Sequence, residues 1–258
     1  MQAAWLAEPD IAPILCARRT PADIVWSPGQ PVPALPPCET VIALWGRTDG
    51  DADTLGLNRD LVFEGVRLAQ ACGAGRIFHL SSAAIYGPGT WMPETRSPAP
   101  ANAYGAAKRD MEGTIAALPP EGPRHVILRL ANVVGADSLG AALHDHTHPV
   151  TLDRFADGTG PRRSYIAPGD LARVLSALAR LPVDRVPDIL NVAAPEPVAM
   201  VDLARAAGRP VVWRDAPPGA QPCVSLDTGR LGRVLPGVIR CTTPEAMIAD
   251  WRGLAPAR

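Results

Sequence analysis

No part of this sequence carries the usual marks of a membrane, metal or nucleic-acid protein. No stretch reaches the roughly 18 apolar residues of a spanning helix. Met1 to Asp10 lacks a basic segment followed by an apolar core, so a cytoplasmic location is expected. The five cysteines, Cys16, Cys38, Cys72, Cys223 and Cys241, stand far apart with no CxxC pair. That spacing fits no metal site, and buried, reduced thiols are expected. Lys and Arg number 25 against 26 Asp and Glu, for a net charge of −1. Being scattered, the basic residues form no phosphate-tracking surface of the kind nucleic acids require, so any anionic ligand must be met locally. The 29 prolines and 23 glycines fall mostly at the ends of periodic segments, which makes them turn residues rather than a disordered block.

What is present reads as α/β. The segment 11–19 (IAPILCARR) predicts a short buried strand, 24–26 (IVW) another, and 40–46 (TVIALWG) a continuous apolar strand buried on both faces. A helix is expected from Thr54 to Ala71, with Gly73 and Gly75 as its stop. Strands follow at 76–82 and 125–135, separated by a loop from Gly87 to Asn102 and a helix from Ala103 to Leu118. Such alternation is the pattern of a parallel sheet built from βαβ units. Beyond about residue 136 it becomes less regular, with a short strand at 150–152, a helix at 170–181, a strand at 189–192, and helices near 200–207 and 244–251. The expected division is an α/β domain over 1–135 and a smaller lobe over 136–258 that lends elements to the main sheet.

The chemistry centres on Tyr104-Gly105-Ala106-Ala107-Lys108. Four-residue spacing on a helix puts the phenol and the ammonium on one face. A free tyrosine has a pKa of about 10, and a nearby cation favours its phenolate, so Lys108 could activate Tyr104 as a general acid/base. A YxxxK match alone is weak, because half-buried Tyr and surface Lys produce it by accident. Upstream, HLSSAAIYGPG at 79–89 places Ser81 and Ser82 at the C-terminal end of a strand, the end at which open parallel sheets bind ligands.

Together, SSxxxYG, a loop containing Pro93-Glu94, and YxxxK resemble the extended short-chain dehydrogenase/reductase family, also called the NAD-dependent epimerase/dehydratase family. LRLANVVG at 128–135, RSYIAPGDLARV at 163–174 and ILNVAAPEPVAMVDLA at 189–204 extend the resemblance over nearly the whole chain. It implies a Rossmann-like doubly wound sheet with a C-terminal substrate lobe. Ser82, Tyr104 and Lys108 would form the catalytic set, with Ser82 bonding the reacting oxygen, Tyr104 moving its proton, and Lys108 holding the nicotinamide ribose while lowering the tyrosine pKa. Leu44, Trp45, Gly46, Asn58, Ser81 and Ala131 are implied cofactor contacts, and Asn132 and Arg163 substrate contacts. Where the family's dehydratases carry an Asp-Glu pair, this chain has Ala83-Ala84, which favours an epimerase or reductase of a nucleotide sugar. Arg18 and Arg19 fall where a 2′-phosphate would be met, which tilts the cofactor towards NADP over NAD; two solvated loop arginines are the competing account. HDHTH at 144–148 reads as a solvated histidine cluster and not a metal site. Asp170 and Arg163 could meet a diphosphate or join in an interlobe salt bridge. A homodimer through the 54–71 and 103–118 helices is also implied.

The resemblance calls for a first strand and a GxxGxxG turn, whose glycines let backbone N–H groups approach a pyrophosphate. No such turn precedes Arg18, and MQAAWLAEPD looks like the latter half of the helix that should follow one. The expectation is an internal Met1 in a protein about 15 to 20 residues longer, with a degenerate, non-catalytic nucleotide or partner binder as the alternative. An open slot then predicts the strands at 11–16 and 41–45 about 10 Å apart, not the roughly 4.8 Å of a closed sheet.

Overall fold

The structure, a computed structural model, describes residues 12–254, so the expectations for MQAAWLAEPD and Ile11 lie outside the described residues. At its centre is a parallel sheet ordered β10 (Ile189–Val192), β5 (Arg124–Leu130), β4 (Arg76–Ser82) and β3 (Thr40–Ala43). Its register aligns Phe78 with Ile42 on one side and Val126 on the other. Successive side chains of β4 point to opposite faces, as strand geometry requires. Ile77 and His79 look towards Gly65 of α1 (Ala52–Cys72), whereas Phe78 packs with Leu171, Val174, Leu175 and Leu178 of α4 (Pro168–Arg180).

Those four α4 residues recur at the 3,4-spacing of a single helical stripe, which is why α4 buries one face against the sheet. On the opposite face, Val62 of α1 meets Met111 and Ile115 of α2 (Ala103–Ala116) over Ile127 of β5. Local chemistry sets the helix ends. The Asp51 carboxylate accepts from Thr54 N at 2.8 Å and Asn102 from Gly105 N at 2.8 Å, filling N-terminal donors that would otherwise be unpaired. Gly73, with φ of 71°, closes α1 in the left-handed conformation. Among the described residues no helix is long and apolar enough to cross a membrane.

The sheet is weaker towards β3 than the apolar run suggested. β3 stops at Ala43 and its residues before Ala43 are only partly buried, because among the described residues it pairs with β4 alone. Leu44 is 41% exposed, so 44–46 form the exit loop rather than strand. β1 (Cys16–Ala17) and β2 (Ile24–Val25) pair in parallel with each other, separately from β3. Among the described residues β1 does not pair with β3. Trp26, after β2, meets Trp45, after β3, with ring centroids 6.0 Å apart.

The C-terminal lobe is a set of short pairings. β6 (Asn132–Val133) joins β9 (Tyr165–Ile166), β7 (Val150–Arg154) joins β12 (Val211–Asp215), and β8 (Arg162–Arg163) lies between β11 (Val198–Ala199) and β13 (Cys223–Val224). The helices α3 (Ser138–His144), α5 (Met200–Ala206), α6 (Gly229–Val234) and α7 (Pro244–Gly253) complete the chain. A second core gathers Leu139, Val150, Leu152, Tyr165, Leu203, Met247 and Ile248. Although later in sequence than residue 136, β10 and α4 belong to the main sheet and its core. Asp170, fully buried, accepts from Arg240 N and Cys241 N at 2.8 Å each and pairs with Arg173. Its carboxylate thus ties α4 to the C-terminal segment.

Candidate active site

The C-terminal ends of β4 and β5 open into a cavity of about 810 Å³ that continues into the C-terminal lobe. Ser82, the last residue of β4, caps a 3₁₀ turn over Ala83–Tyr86, its hydroxyl accepting from Ala84 N at 3.1 Å. The start of α2 presses on that turn. A Cβ on Gly105 would collide with the Ala84 carbonyl and come within 2.9 Å of Pro100 Cβ, so glycine permits the close approach. Tyr104 is thereby brought onto the same cavity wall as Ser82, near enough for the serine to act on the tyrosine pKa.

Lys108 is engaged away from the phenol. Its ammonium donates to Leu80 O at 2.8 Å and lies against Met111 Sδ at 3.8 Å. The Tyr104 pKa is raised, by burial first, with the Ser82 hydrogen bond opposing. The physical reason is that desolvation penalises the phenolate and Lys108 is turned to a backbone carbonyl. Burial also pushes the Lys108 ammonium down to about 8, with Glu112 working the other way. Gly46 belongs to this corner: a Cβ there would sit 3.0 Å from Asn58 Oδ1 and 3.1 Å from Lys108 Nζ. Asn58, almost fully buried, pins the exit loop of β3, accepting from Arg47 N at 3.1 Å and donating to Arg47 O at 3.0 Å. Gly46, Asn58 and Lys108 are thus brought together beside the sheet edge.

Ser81 points elsewhere. Its hydroxyl donates to Glu112 Oε1 at 2.5 Å, and Glu112 is clasped by Arg129 through Nε at 3.1 Å and Nη2 at 2.7 Å. Arg129 also donates to the Tyr86 hydroxyl at 2.8 Å and Glu94 O at 3.0 Å, and lies over the Tyr86 ring. Tyr86 donates in turn to Asn191 Oδ1 at 2.9 Å, and Asn191 N donates to Glu94 Oε1 at 3.0 Å. This buried chain crosses β4, α2, β5 and β10 directly behind Ser82. Sequence reasoning missed Glu112, although its position four residues after Lys108 on the same helix face was a usable signal.

Ala131 and Asn132 line the cavity beyond β5. Asn132 is the register partner of Tyr165, whose hydroxyl donates to Asp137 Oδ2 at 2.8 Å. Burial raises the pKa of both Tyr165 and Asp137. The far wall carries Arg163 and Arg214, the latter bonded to Asp153 Oδ1 at 2.6 Å. Arg163 hydrogen-bonds to Arg162 O at 2.7 Å, and burial lowers its pKa. Arg18 and Arg19 sit on an exposed turn after β1 and do not line the cavity. His144 packs edge-on against Trp251 and His148 pairs with Asp145; among the described residues no cluster of metal-ligating side chains occurs.

A profile of the NAD dependent epimerase/dehydratase family matches residues 43–193, more than half of the chain. No curated protein matches. Among solved structures, the UDP-glucose 4-epimerase of Thermus thermophilus in complex with NAD is 22% identical with a TM-score of 0.64, over 83% of this chain and 78% of that one. The UDP-glucose 4-epimerase of Thermotoga maritima with UDP-glucose gives 19% and 0.67, over 83% and 76%. An NAD-dependent NDP-hexosamine 5,6-dehydratase of tunicamycin biosynthesis gives 20% and 0.66, over 83% and 77%. At these identities the likeness establishes the Rossmann-type α/β fold.

Proposed function

This chain belongs to the NAD-dependent epimerase/dehydratase family, and we propose that it is a nicotinamide-dependent epimerase or reductase of sugar nucleotides that works through Ser82, Tyr104 and Lys108. The observation that carries this reading is the placing of Ser82 and Tyr104 together on the wall of the large cavity at the sheet's C-terminal end. A bound nicotinamide supplies hydride exchange with a sugar carbon. The protons are the chain's own responsibility. With its pKa raised, Tyr104 is protonated at neutral pH and is poised to give a proton to a carbonyl oxygen held by Ser82, the direction a reduction needs. Taking the proton back requires Lys108 to release Leu80 O and turn towards the phenol. Glycine at position 46 keeps the ammonium uncrowded, since a Cβ there would sit 3.1 Å from Lys108 Nζ.

Elimination of water is disfavoured on this reading. Ala83 and Ala84 place no carboxylate in the turn beside Ser82, and the cavity carboxylates Asp137 and Asp153 are engaged by Tyr165 and Arg214. We assign NAD as the cofactor, in keeping with the NAD-bound epimerases that share the fold. The exposed position of Arg18 and Arg19 gives NADP no added support, and side-by-side NAD and NADP affinities check the assignment. The Asp51 carboxylate caps the N-terminus of α1, so that helix end does not serve a pyrophosphate. The homodimer is proposed through α1 and α2. A second reading, a member that binds a nucleotide without turnover, is favoured by the engagement of Lys108 with Leu80 O. Incubation of a UDP-hexose panel with NAD, followed by proton NMR of the anomeric region, separates the two. Epimer or oxidised product is expected from the chain; nucleotide binding with no product from any sugar supports the second reading.

A further inference from the structure

Two cysteines 34 positions apart in sequence meet where the connection leading into β3 passes the end of α1. Cys38 N donates to Cys72 O at 3.0 Å, a bond between the backbones of the two residues themselves that brings their Cα atoms close together. Disulfides form at Cα separations of roughly 4.4 to 6.8 Å. Both side chains lie in one small apolar cluster with Val41, Ala69 and Ile77. Cys38 is half-buried and Cys72 buried, and each thiol is free. The Cys38 thiol donates to Pro36 O at 3.4 Å and the Cys72 thiol to Ala69 O at 3.7 Å. The two sulfurs also sense each other: the Cys38 pKa is raised by burial first, and then by the charge of Cys72 and a hydrogen bond to it.

We propose that Cys38 and Cys72 form a redox-closable staple that ties the edge strand β3 to the C-terminal end of α1. The oxidant class is a low-molecular-weight disulfide. The Cys38 thiolate, the more accessible of the two, attacks one sulfur of that disulfide, forming a mixed disulfide and releasing one thiolate. The Cys72 thiolate then attacks the Cys38 sulfur, forming the Cys38–Cys72 bond and expelling the second thiolate. The two protons lost from the cysteines end on the two released thiols, and the two electrons lost by the cysteines reduce the oxidant. Because the thiolate is the attacking species, the burial of Cys38 makes closure slow at neutral pH and faster in alkaline buffer. The staple would fix a region now held by few bonds, among them Arg67 Nη2 to Gln30 O at 3.1 Å. It is independent of the assigned chemistry, since neither cysteine lines the large cavity.

The test is disulfide mapping of the full native chain after incubation with oxidised glutathione in mildly alkaline buffer. The expected result is one crosslinked peptide pair containing Cys38 and Cys72, formed faster in the folded chain than in urea. The melting temperature should rise by roughly 5 to 10 °C, as expected for a loop of this length. Cys38→Ser should leave Cys72 unmodified, and Cys72→Ala should stop the reaction at a glutathione adduct on Cys38. A stable adduct on Cys38 of the unsubstituted chain, no reaction, or crosslinks to Cys16, Cys223 or Cys241 in its place would overturn the proposal.

Discussion

The main sheet and the separate β1–β2 pair are built differently. Behind Ser82, four elements are braced by a continuous buried network from Ser81 through Glu112, Arg129 and Tyr86 to Asn191. Around β1 and β2, pairing extends over two residues per strand, and Val25 is 57% exposed. The residues proposed to move protons therefore stand on a rigid base, while Arg18 and Arg19 stand on a turn with little around it. A buried, fully partnered polar network fixes geometry because each group left unpaired would be costly. An exposed two-residue strand fixes little. The chemistry is accordingly assigned to the braced end.

The largest expected effect falls at that end. Tyr104→Phe should lower turnover by about 10²- to 10⁴-fold, the usual worth of a positioned acid/base, with an unchanged melting curve; an equal loss of folding would mean that the phenol is structural. Next, Arg129→Met leaves the Glu112 carboxylate buried without its partner and should cost about 3–5 kcal/mol in urea unfolding. Adding Glu112→Gln should recover part of that loss but not the activity, if the network positions Ser82. A pH-dependent effect follows from His79, which hydrogen-bonds to His125 at 2.9 Å. Burial first, then His125 and Lys108, push its pKa down from 6.5 to about 3. The stability this neutral imidazole confers is complete above pH 6.5 and is lost as pH falls towards 3, at up to about 1.4 kcal/mol per pH unit. His79→Leu should flatten that slope in denaturant titrations across the acid range. Smallest of all, Arg18→Ala and Arg19→Ala should each change stability by no more than about 0.5 kcal/mol. A substantial loss there would show that the thin end is better braced than it looks.

Much of this was legible in the sequence. The apolar stripe of α4, the Gly73 stop and the strand at 76–82 follow from periodicity and turn chemistry, and the motif order placed Ser82, Tyr104 and Lys108 on neighbouring elements. Side-chain direction was not legible. Alternation along β4 turns Ser81 away from Ser82, and the Lys108 ammonium finds the Leu80 carbonyl rather than the phenol. The apolar run at 40–46 reads as a fully buried strand, but burial depends on partners that the run does not specify; with β4 as its one partner among the described residues, β3 ends at Ala43. The Glu112–Arg129 pair joins a helix to a strand 17 positions away, a contact created by the tertiary fold alone.

The most direct test is a single-turnover measurement of nicotinamide reduction when a UDP-hexose is added to the NAD-loaded chain, run beside Tyr104→Phe. The prediction is a rise in reduced-nicotinamide absorbance in the unsubstituted chain and its near-complete loss in the variant, with NAD affinity unchanged. Equal reduction in both proteins, or none in either despite bound NAD and sugar nucleotide, would contradict the assignment of the proton transfer to Tyr104.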